Sequence, residues 1–457
     1  MFDTPNSAEA RDVRHHLHSY SNPRRLDETG PLVIERGEGI YVFDSAGKRY
    51  LEGVSALWYA SLGFSEKRLV EAAYRQMQML PCYHSFGHKV TENAVDLAEM
   101  LIAIAPVPMS KVYFCGSGSE GNDTALKVVR YVNNALGRPA KKKVISRIRG
   151  YHGTTLATAS LTGIARNHTS FDLPIDGILH TDCPLYYRYG EAGESEAAFV
   201  DRIVGNLEQM ILREGPETIA AFWAEPILGS GGVIVPPEGY YEKVQALLRK
   251  YDILFVVDEV ICGFGRLGHM FGSQAFGLEP DMIIVAKALS SGYQPIAALL
   301  VNEKVFSGLS QEADKIGVFG HGFTYSAHPV PTAVAIETLK IYEERDIIAH
   351  VRAVSPRFQD GLRAFAGNPF VGDVRGLGLI AGLEIVKDKT TRENFPPERR
   401  AALELEMLCL DEGLVVRAIG DTVALSPPLI ITEREIDELL ASFGRGLARF
   451  TAQMSVR

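Results

Sequence analysis

Cysteine is scarce in this chain. The 457 residues hold five, Cys82, Cys115, Cys183, Cys262 and Cys409, an odd number at wide spacing. None forms a C-x-x-C pair, so structural zinc and thioredoxin-type chemistry lack support. A reducing compartment suits this usage better than an oxidising one. Long hydrophobic runs are also missing. No uninterrupted apolar stretch approaches the ~18 residues of a membrane span, so no membrane partner is expected. The opening segment, MFDTPNSAEARDVRHHLHSY, has no apolar core and does not read as a secretory signal. A cytoplasmic location is therefore expected, and the N-x-T sequons at Asn122 and Asn167 are read as chance matches. Positive charge is not in excess. The chain has 47 Lys and Arg against 56 Asp and Glu, a net charge of −9 at pH 7. That balance argues against a generic nucleic-acid binder. G-x-S-x-G and H-E-x-x-H are both absent, which disfavours a serine hydrolase and a zinc protease, and no metal is expected.

What is present is ordinary globular composition, 46% hydrophobic and 23% charged. A chain this long buries a core without covalent staples. The usual domain size predicts two to four units. The first ~30 residues are polar and read as an arm or short helix. Residues 38–51 alternate around Gly and Asp-Ser turns, which predicts a hairpin. Short runs rich in Val, Ile and Phe then alternate with helical patterns. The runs are Lys111–Cys115, Lys143–Ile148, Gly177–Thr181, Ala220–Glu225, Ile253–Asp258 and Met282–Ala286. The helices are placed at 91–104, 120–136, 195–213 and 239–251. Near-continuous apolar strands alternating with helices predict an α/β fold with a mostly parallel sheet covered on both faces. Beyond residue 330 the texture changes. A long helical pattern over 330–365 leads to a Gly-rich strand pair at Val374–Glu384. A helix over 397–412, a strand at Leu414–Ala418 and a last helix from about 433 follow. This half predicts an α+β unit, joined by residues 31–75.

G-x-G-x-x-G occurs at Gly116–Gly121 and Gly263–Gly268, and a variant ending in Ala runs from Gly376 to Ala381. Three hits show how weak the bare pattern is. A dinucleotide site also wants an acid about 20 positions on, and residues 131–150 contain no Asp or Glu. A nicotinamide enzyme is thus the weaker reading. Gly116–Gly121 follows a strand and opens a helix, where small residues and a helix N-terminus suit an anion such as phosphate. A tight turn with a Ser cap is the plainer alternative.

Asp258 ends one apolar run and Lys287 ends the next. Both fall at the expected C-terminal edge of a parallel sheet, where open α/β sheets bind ligands. Alone, Lys287 reads as a snorkelling strand end and Asp258 as a turn or cap, with Glu259 a competing acid. Together they meet one chemical need. A desolvated lysine amine attacks a carbonyl, and a carboxylate keeps a pyridine nitrogen protonated so that the ring withdraws electrons. That is the chemistry of pyridoxal 5'-phosphate (PLP).

The joint pattern is F-C-G-S-G-S-E-G-N-D-T-A-L-K, R-G-Y-H-G, A-E-P-I, V-D-E-V-I-C-G-F-G-R-L-G and the strand ending at Lys287. With it the chain resembles the class III aminotransferases of the fold-type-I PLP enzymes over nearly its whole length. It is most similar to their ω-aminotransferase (amine:pyruvate) branch, on Tyr20 in HHLHSY, Trp58 in SALWY and Arg417 in VVRAIGDTVALSPPL. The resemblance implies a three-layer α/β/α large domain with a mostly parallel sheet and a smaller α+β domain. The implied division is an arm at 1–30, a PLP-binding domain at 76–329, and a discontinuous small domain at 31–75 and 330–457. By the resemblance, Lys287 carries the cofactor and shuttles the proton, and Asp258 pairs with the pyridine nitrogen. Tyr151 and Val260 flank the ring, Gly118 and Ser119 hold the phosphate, and Glu225 lies near. Thr324 reaches the phosphate of the neighbouring subunit, which implies a homodimer or a dimer of dimers with sites at the interface. Tyr20, Trp58 and the partner's Phe86 shape the substrate pocket, and Arg417 binds the substrate carboxylate in a bidentate fork. An Arg at a strand end facing solvent is its plainer reading.

The implied reaction moves an amino group from an amine or ω-amino acid to a keto acid, pyruvate above all, by a ping-pong aldimine/ketimine route. Aminomutase or decarboxylase chemistry on the same fold is the alternative. Cys82 and Gly87 depart from the branch, where larger aromatics are common, and His84 and His88 read as loop residues.

Overall fold

The computed structural model describes residues 6–455. The first five residues of the expected arm lie outside them. The remainder of that arm holds two short helices, Ala8–His15 and Pro23–Thr29. Ser7 and Asn22 cap them by accepting backbone N–H groups of their first turns.

A seven-stranded sheet forms the middle of the chain. Its order is Lys111–Cys115, Ala297–Val301, Met282–Val285, Leu254–Asp258, Ile219–Ala224, Lys143–Arg147 and Ile178–Thr181. Ala297–Val301 runs antiparallel to both of its neighbours, and the other pairings are parallel. The central strands Met282–Val285, Ala297–Val301 and Ile219–Ala224 are apolar throughout because both faces are covered. Successive residues of one strand serve opposite layers. Ala221 and Trp223 pack with Val128, Val129 and Val132 of the helix Gly118–Ala135. Phe222 and Ala224 pack with the helices Glu196–Glu214 and Tyr240–Lys250 on the other side. The α/β class, with helices flanking a mainly parallel sheet, is as expected.

Two smaller sheets lie outside this one. Ile34–Glu38, Tyr41–Asp44 and Arg49–Glu52 form an antiparallel ribbon, one strand more than the expected hairpin. The short strand Leu414–Val415 joins it in parallel, pairing Leu414 with Leu51. The other sheet is antiparallel: Val371–Leu377, Ile380–Ile385, Thr422–Leu425 and Arg417–Ile419. The helical pattern over 330–365 is two helices, Pro329–Glu344 and Ile347–Arg363. The break comes at Asp346, whose φ of +45° leaves the helix and whose side chain caps the second one. Among the described residues, no helix is long and apolar enough to cross a membrane.

Candidate active site

The C-terminal ends of the central strands open on a cavity of about 460 Å³. Asp258 closes its strand, and Lys287 follows the adjacent one. Those strands are hydrogen-bonded in parallel, so carboxylate and amine emerge at one edge. Gly118, Ser119, Tyr151, Glu225 and Val260 line the same space.

The acid is held firmly. Asn122 Nδ2 donates to Asp258 Oδ2 at 2.8 Å, and His152 Nδ1 lies 2.9 Å from the same oxygen. The backbone N–H of Val260 donates to Oδ1 at 3.1 Å. Trp223 Nε1 donates to Asn122 Oδ1 at 2.7 Å, which fixes the amide with its donor side toward the acid. Glu259 points elsewhere. It accepts the backbone N–H groups of Gly272 and Ser273 and the Ser273 hydroxyl, and burial raises its pKa to about 7. Of these two neighbouring acids, Asp258 is therefore the one that faces the cavity. Glu225 accepts the backbone N–H groups of Tyr151 at 2.9 Å and Gly229 at 3.0 Å, and burial raises its pKa.

Lys287 adopts φ +50°, a conformation that costs a non-glycine residue roughly 1–2 kcal/mol. Burial draws its pKa down to about 8, against the opposing pull of Asp258 and Glu225. The loop after it is clamped. Ser291 Oγ accepts the backbone N–H of Leu62 at 2.9 Å. Gly292 has φ +75°, and a Cβ there would lie 2.1 Å from Tyr59 Cδ2. Only glycine lets the Tyr59 ring rest on this loop.

A second cavity of about 190 Å³ lies alongside and shares Tyr151 and Lys287. Tyr20, Trp58, Arg166 and Arg417 line it. Asn167 Nδ2 donates to the Tyr20 hydroxyl at 2.5 Å. Trp58 is buried, and its indole N–H has no hydrogen-bond partner among the described residues. The turn that carries it has positive φ at Ser55, Ala56 and Trp58. Arg266, from the loop at Gly263–Gly268, braces that turn. It donates to Ser55 Oγ at 3.3 Å, to the Leu379 carbonyl at 3.1 Å and to the Pro427 carbonyl at 2.5 Å. Arg266 is 2% exposed, and burial lowers its pKa to about 10. Burial also lowers the pKa of Arg417, opposed by Glu406. Among the described residues neither Arg166 nor Arg417 has an ion-pair partner.

Thr324 and Phe86 lie outside both cavities, and both are exposed. Their segments touch each other: Ser85 Oγ donates to the Ser326 carbonyl at 3.3 Å. Sequence reasoning missed Asn122, His152, Trp223, Tyr59 and Arg166. Asn122 had looked like a chance sequon, yet its position one turn into the helix opened by Gly118 aims it at the strand ends. His84 and His88 lie in an exposed loop.

The residues of the larger cavity fit PLP. Its volume is that of small-ligand pockets, about 300–1,000 Å³. Gly118 and Ser119 begin an 18-residue helix, whose first amides have no acceptor within the helix. Side chains at the glycines would close the space: a Cβ on Gly118 would lie 3.1 Å from Val260 Cγ2, and one on Gly153 2.6 Å from Ser119 Oγ.

The class-III aminotransferase family model matches residues 23–447. The mitochondrial γ-aminobutyrate transaminase 1 of Oryza sativa subsp. japonica is 50% identical over 445 residues, 97% of this chain and 86% of that protein. The vanillin aminotransferase of Capsicum chinense is 52% identical over 418 residues, 91% of each. The crystal structure of the ω-transaminase from Pseudomonas jessenii in complex with PMP superposes with a TM-score of 0.97. It is 52% identical, over 98% of this chain and 99% of that one. The chain belongs to the class-III aminotransferases, PLP-dependent transaminases of fold type I.

Proposed function

We propose that this enzyme transfers an amino group from an amine or ω-amino acid to pyruvate. The observation that carries this reading is the shared edge of Asp258 and Lys287, with Arg417 beside them in the adjoining cavity. When bound, PLP supplies an electron sink next to the reacting carbon. The chain's own residues do the rest. Asp258, steadied by Asn122 and His152, pairs with the pyridine nitrogen. The amides of Gly118 and Ser119 and the Ser119 hydroxyl hold the phosphate. Tyr151 and Val260, which line the same cavity, would flank the ring, with Glu225 nearby. Lys287 Nζ would remove the proton from the carbon that bears the amino nitrogen and give it up again within the same half-reaction, and the keto-acid half would run that transfer in reverse. A pKa near 8 keeps part of its population neutral at physiological pH.

Arg417 grips the carboxylate of the keto acid. For a donor without a carboxylate, a guanidinium on a flexible stem can turn aside, whereas a fixed charge left facing an apolar group would be costly. Tyr20 and Trp58 set the width of this pocket. Two relatives are named for γ-aminobutyrate and vanillin, which supports donors whose amine is not on an α-carbon. A homodimer is part of the proposal, with Thr324 and Phe86 serving the partner's site. Their exposure, and the hydrogen bond from Ser85 to Ser326 that joins the segments carrying them, support it. The division into a large unit at 76–329 and a small unit at 31–75 with 330–457 belongs to the same reading. The pairing of Leu51 with Leu414 supports it. A cytoplasmic location is proposed from the five unpaired thiols.

Half-reaction spectra test the function. Each amine of a panel is mixed with the PLP-loaded enzyme, and the loss of visible absorbance is followed. Keto acids are then added to restore it. Pyruvate should restore the colour fastest. A faster return with 2-oxoglutarate would reject the acceptor, and turnover without any acceptor would reject amino transfer.

A further inference from the structure

The N-terminal arm carries a cluster of metal-binding side chains that the transamination chemistry does not use. Asp12, His16 and His18 place one ligand atom each within 4.8 Å of one another. His16 Nδ1 lies 2.8 Å from Asp12 Oδ1, and His18 Nε2 lies 2.6 Å from Asp12 Oδ2. The carboxylate thus holds one imidazole on each oxygen, and the two rings lie 4.5 Å apart. Hydrogen bonding alone accounts for these contacts, but the arrangement has three features of a cation site.

The first is the ligand spacing. Asp12 and His16 are one helical turn apart at the end of the helix Ala8–His15, so their side chains share a face. The chain then leaves the helix and brings His18 back to the same carboxylate. The second is the field. The C-terminus of a helix carries partial negative charge, which favours a cation there. The third is the fit. Ligands of a first-row metal sit about 2.0–2.2 Å from it, so neighbouring ligand atoms lie about 3 Å apart. The two carboxylate–imidazole separations, 2.8 and 2.6 Å, need to open by less than about 1 Å to admit an ion. Asp12 is mostly buried, with 19% of its side chain exposed, and His18 keeps 26%. His16, at 67%, is the open side where water completes the coordination sphere.

We propose that Asp12, His16 and His18 form a binding site for one divalent transition-metal ion per chain. Two imidazoles and one carboxylate select Zn²⁺, Co²⁺ or Ni²⁺ over Mg²⁺ and Ca²⁺, which prefer oxygen. The ion displaces the protons that these groups now share. The site lies two residues before Tyr20, which lines the outer cavity and is tied to Asn167. A metal here clamps the segment that delivers Tyr20.

Calorimetric titration of Zn²⁺ into the PLP-loaded, tag-free enzyme tests this, with Co²⁺ added in parallel for its visible spectrum. One saturable equivalent per chain is expected. His18→Gln keeps a hydrogen bond to Asp12 but removes an imidazole, and it should weaken binding at least tenfold. His16→Ala with His18→Ala should abolish it. Cys82→Ser, at the exposed thiol, should leave the affinity unchanged. Equal affinity in the double histidine variant, loss of binding in Cys82→Ser, or no saturable binding at millimolar Zn²⁺ would each overturn the proposal. Circular dichroism of the helix signal in each variant separates loss of a ligand from loss of fold. None of these readouts depends on transamination, so failure here leaves the proposed reaction standing.

Discussion

The two cavities share Tyr151 and Lys287 yet are built from different material. The larger one is made of strand ends and the turns that leave them, all between residues 59 and 296. Its acid is fixed by Asn122, His152 and the backbone of Val260, and its lysine follows a buried strand. The smaller one gathers Tyr20 from the arm, Trp58 from a turn with positive φ, Arg166 from the short 3-10 helix Ala165–Asn167 and Arg417 from a short outer strand. On the proposed reading, chemistry rests on the sheet edge and selectivity rests on pieces that reach it from elsewhere. A scaffold arranged this way can change its substrates without disturbing its catalytic groups.

Substitutions can break or sharpen this contrast. The largest effect is expected at Lys287→Ala, which should lower amino transfer by about a thousandfold or more. It should also remove the visible absorbance of the bound cofactor. Retained colour together with retained turnover would displace Lys287 from its role. Next comes Asp258→Asn, with a loss of about a hundredfold in kcat for every substrate pair. A loss confined to one donor would move Asp258 to the selective side of the comparison.

Arg417→Ala addresses the outer cavity. It should raise KM for pyruvate about 10- to 100-fold, the worth of a lost charge-assisted hydrogen bond. KM for an amine without a carboxylate should hardly move. Equal shifts for both substrates would show that the guanidinium does not read the carboxylate.

The lowered pKa of Lys287 gives an effect of about tenfold. Its neutral form, the one that attacks a carbonyl, is present above the pKa near 8. That form grows from about one tenth at pH 7 to about nine tenths at pH 9. Capture of PLP by cofactor-stripped enzyme should accelerate accordingly. A rate that rises only above pH 10 would mean an unperturbed lysine.

The smallest shift is expected at Arg266→Met. It takes the guanidinium donor from Ser55 and from the Leu379 and Pro427 carbonyls, at a cost of about 1–3 kcal/mol in stability. The Trp58 turn loosens, and KM for bulky aryl amines should change about three- to tenfold while that for pyruvate stays. Arg266→Lys should restore part of the change. Identical KM values across all three forms would detach Arg266 from the pocket.

The sheet edge was the legible part of the sequence. Apolar runs ending in Asp258 and Lys287, and a small-residue turn opening a helix at Gly118, are local patterns that survive folding. The strand Ala297–Val301 was not read, because five apolar residues after a Gly-Pro-bearing loop carry no mark of direction. Its antiparallel run is decided by its neighbours. The break at Asp346 was hidden because an acid one residue before an apolar run can sit inside a helix or cap one. Asn122, His152 and Trp223 come from three distant segments, and only the packed sheet shows that they converge on one carboxylate. The outer cavity was legible only through family likeness. Arg166, on a single 3-10 turn too short to leave a sequence pattern, was not legible at all.

The contact between Tyr59 and Gly292 has a consequence for redesign. Tyr59 follows Trp58 directly, so enlarging the pocket at one position tugs on the residue that rests against the lysine loop. Libraries aimed at bulkier amines should therefore show epistasis between positions 58, 59 and 292. Gains in substrate range there will carry a penalty in cofactor retention unless the tyrosine ring keeps its seat.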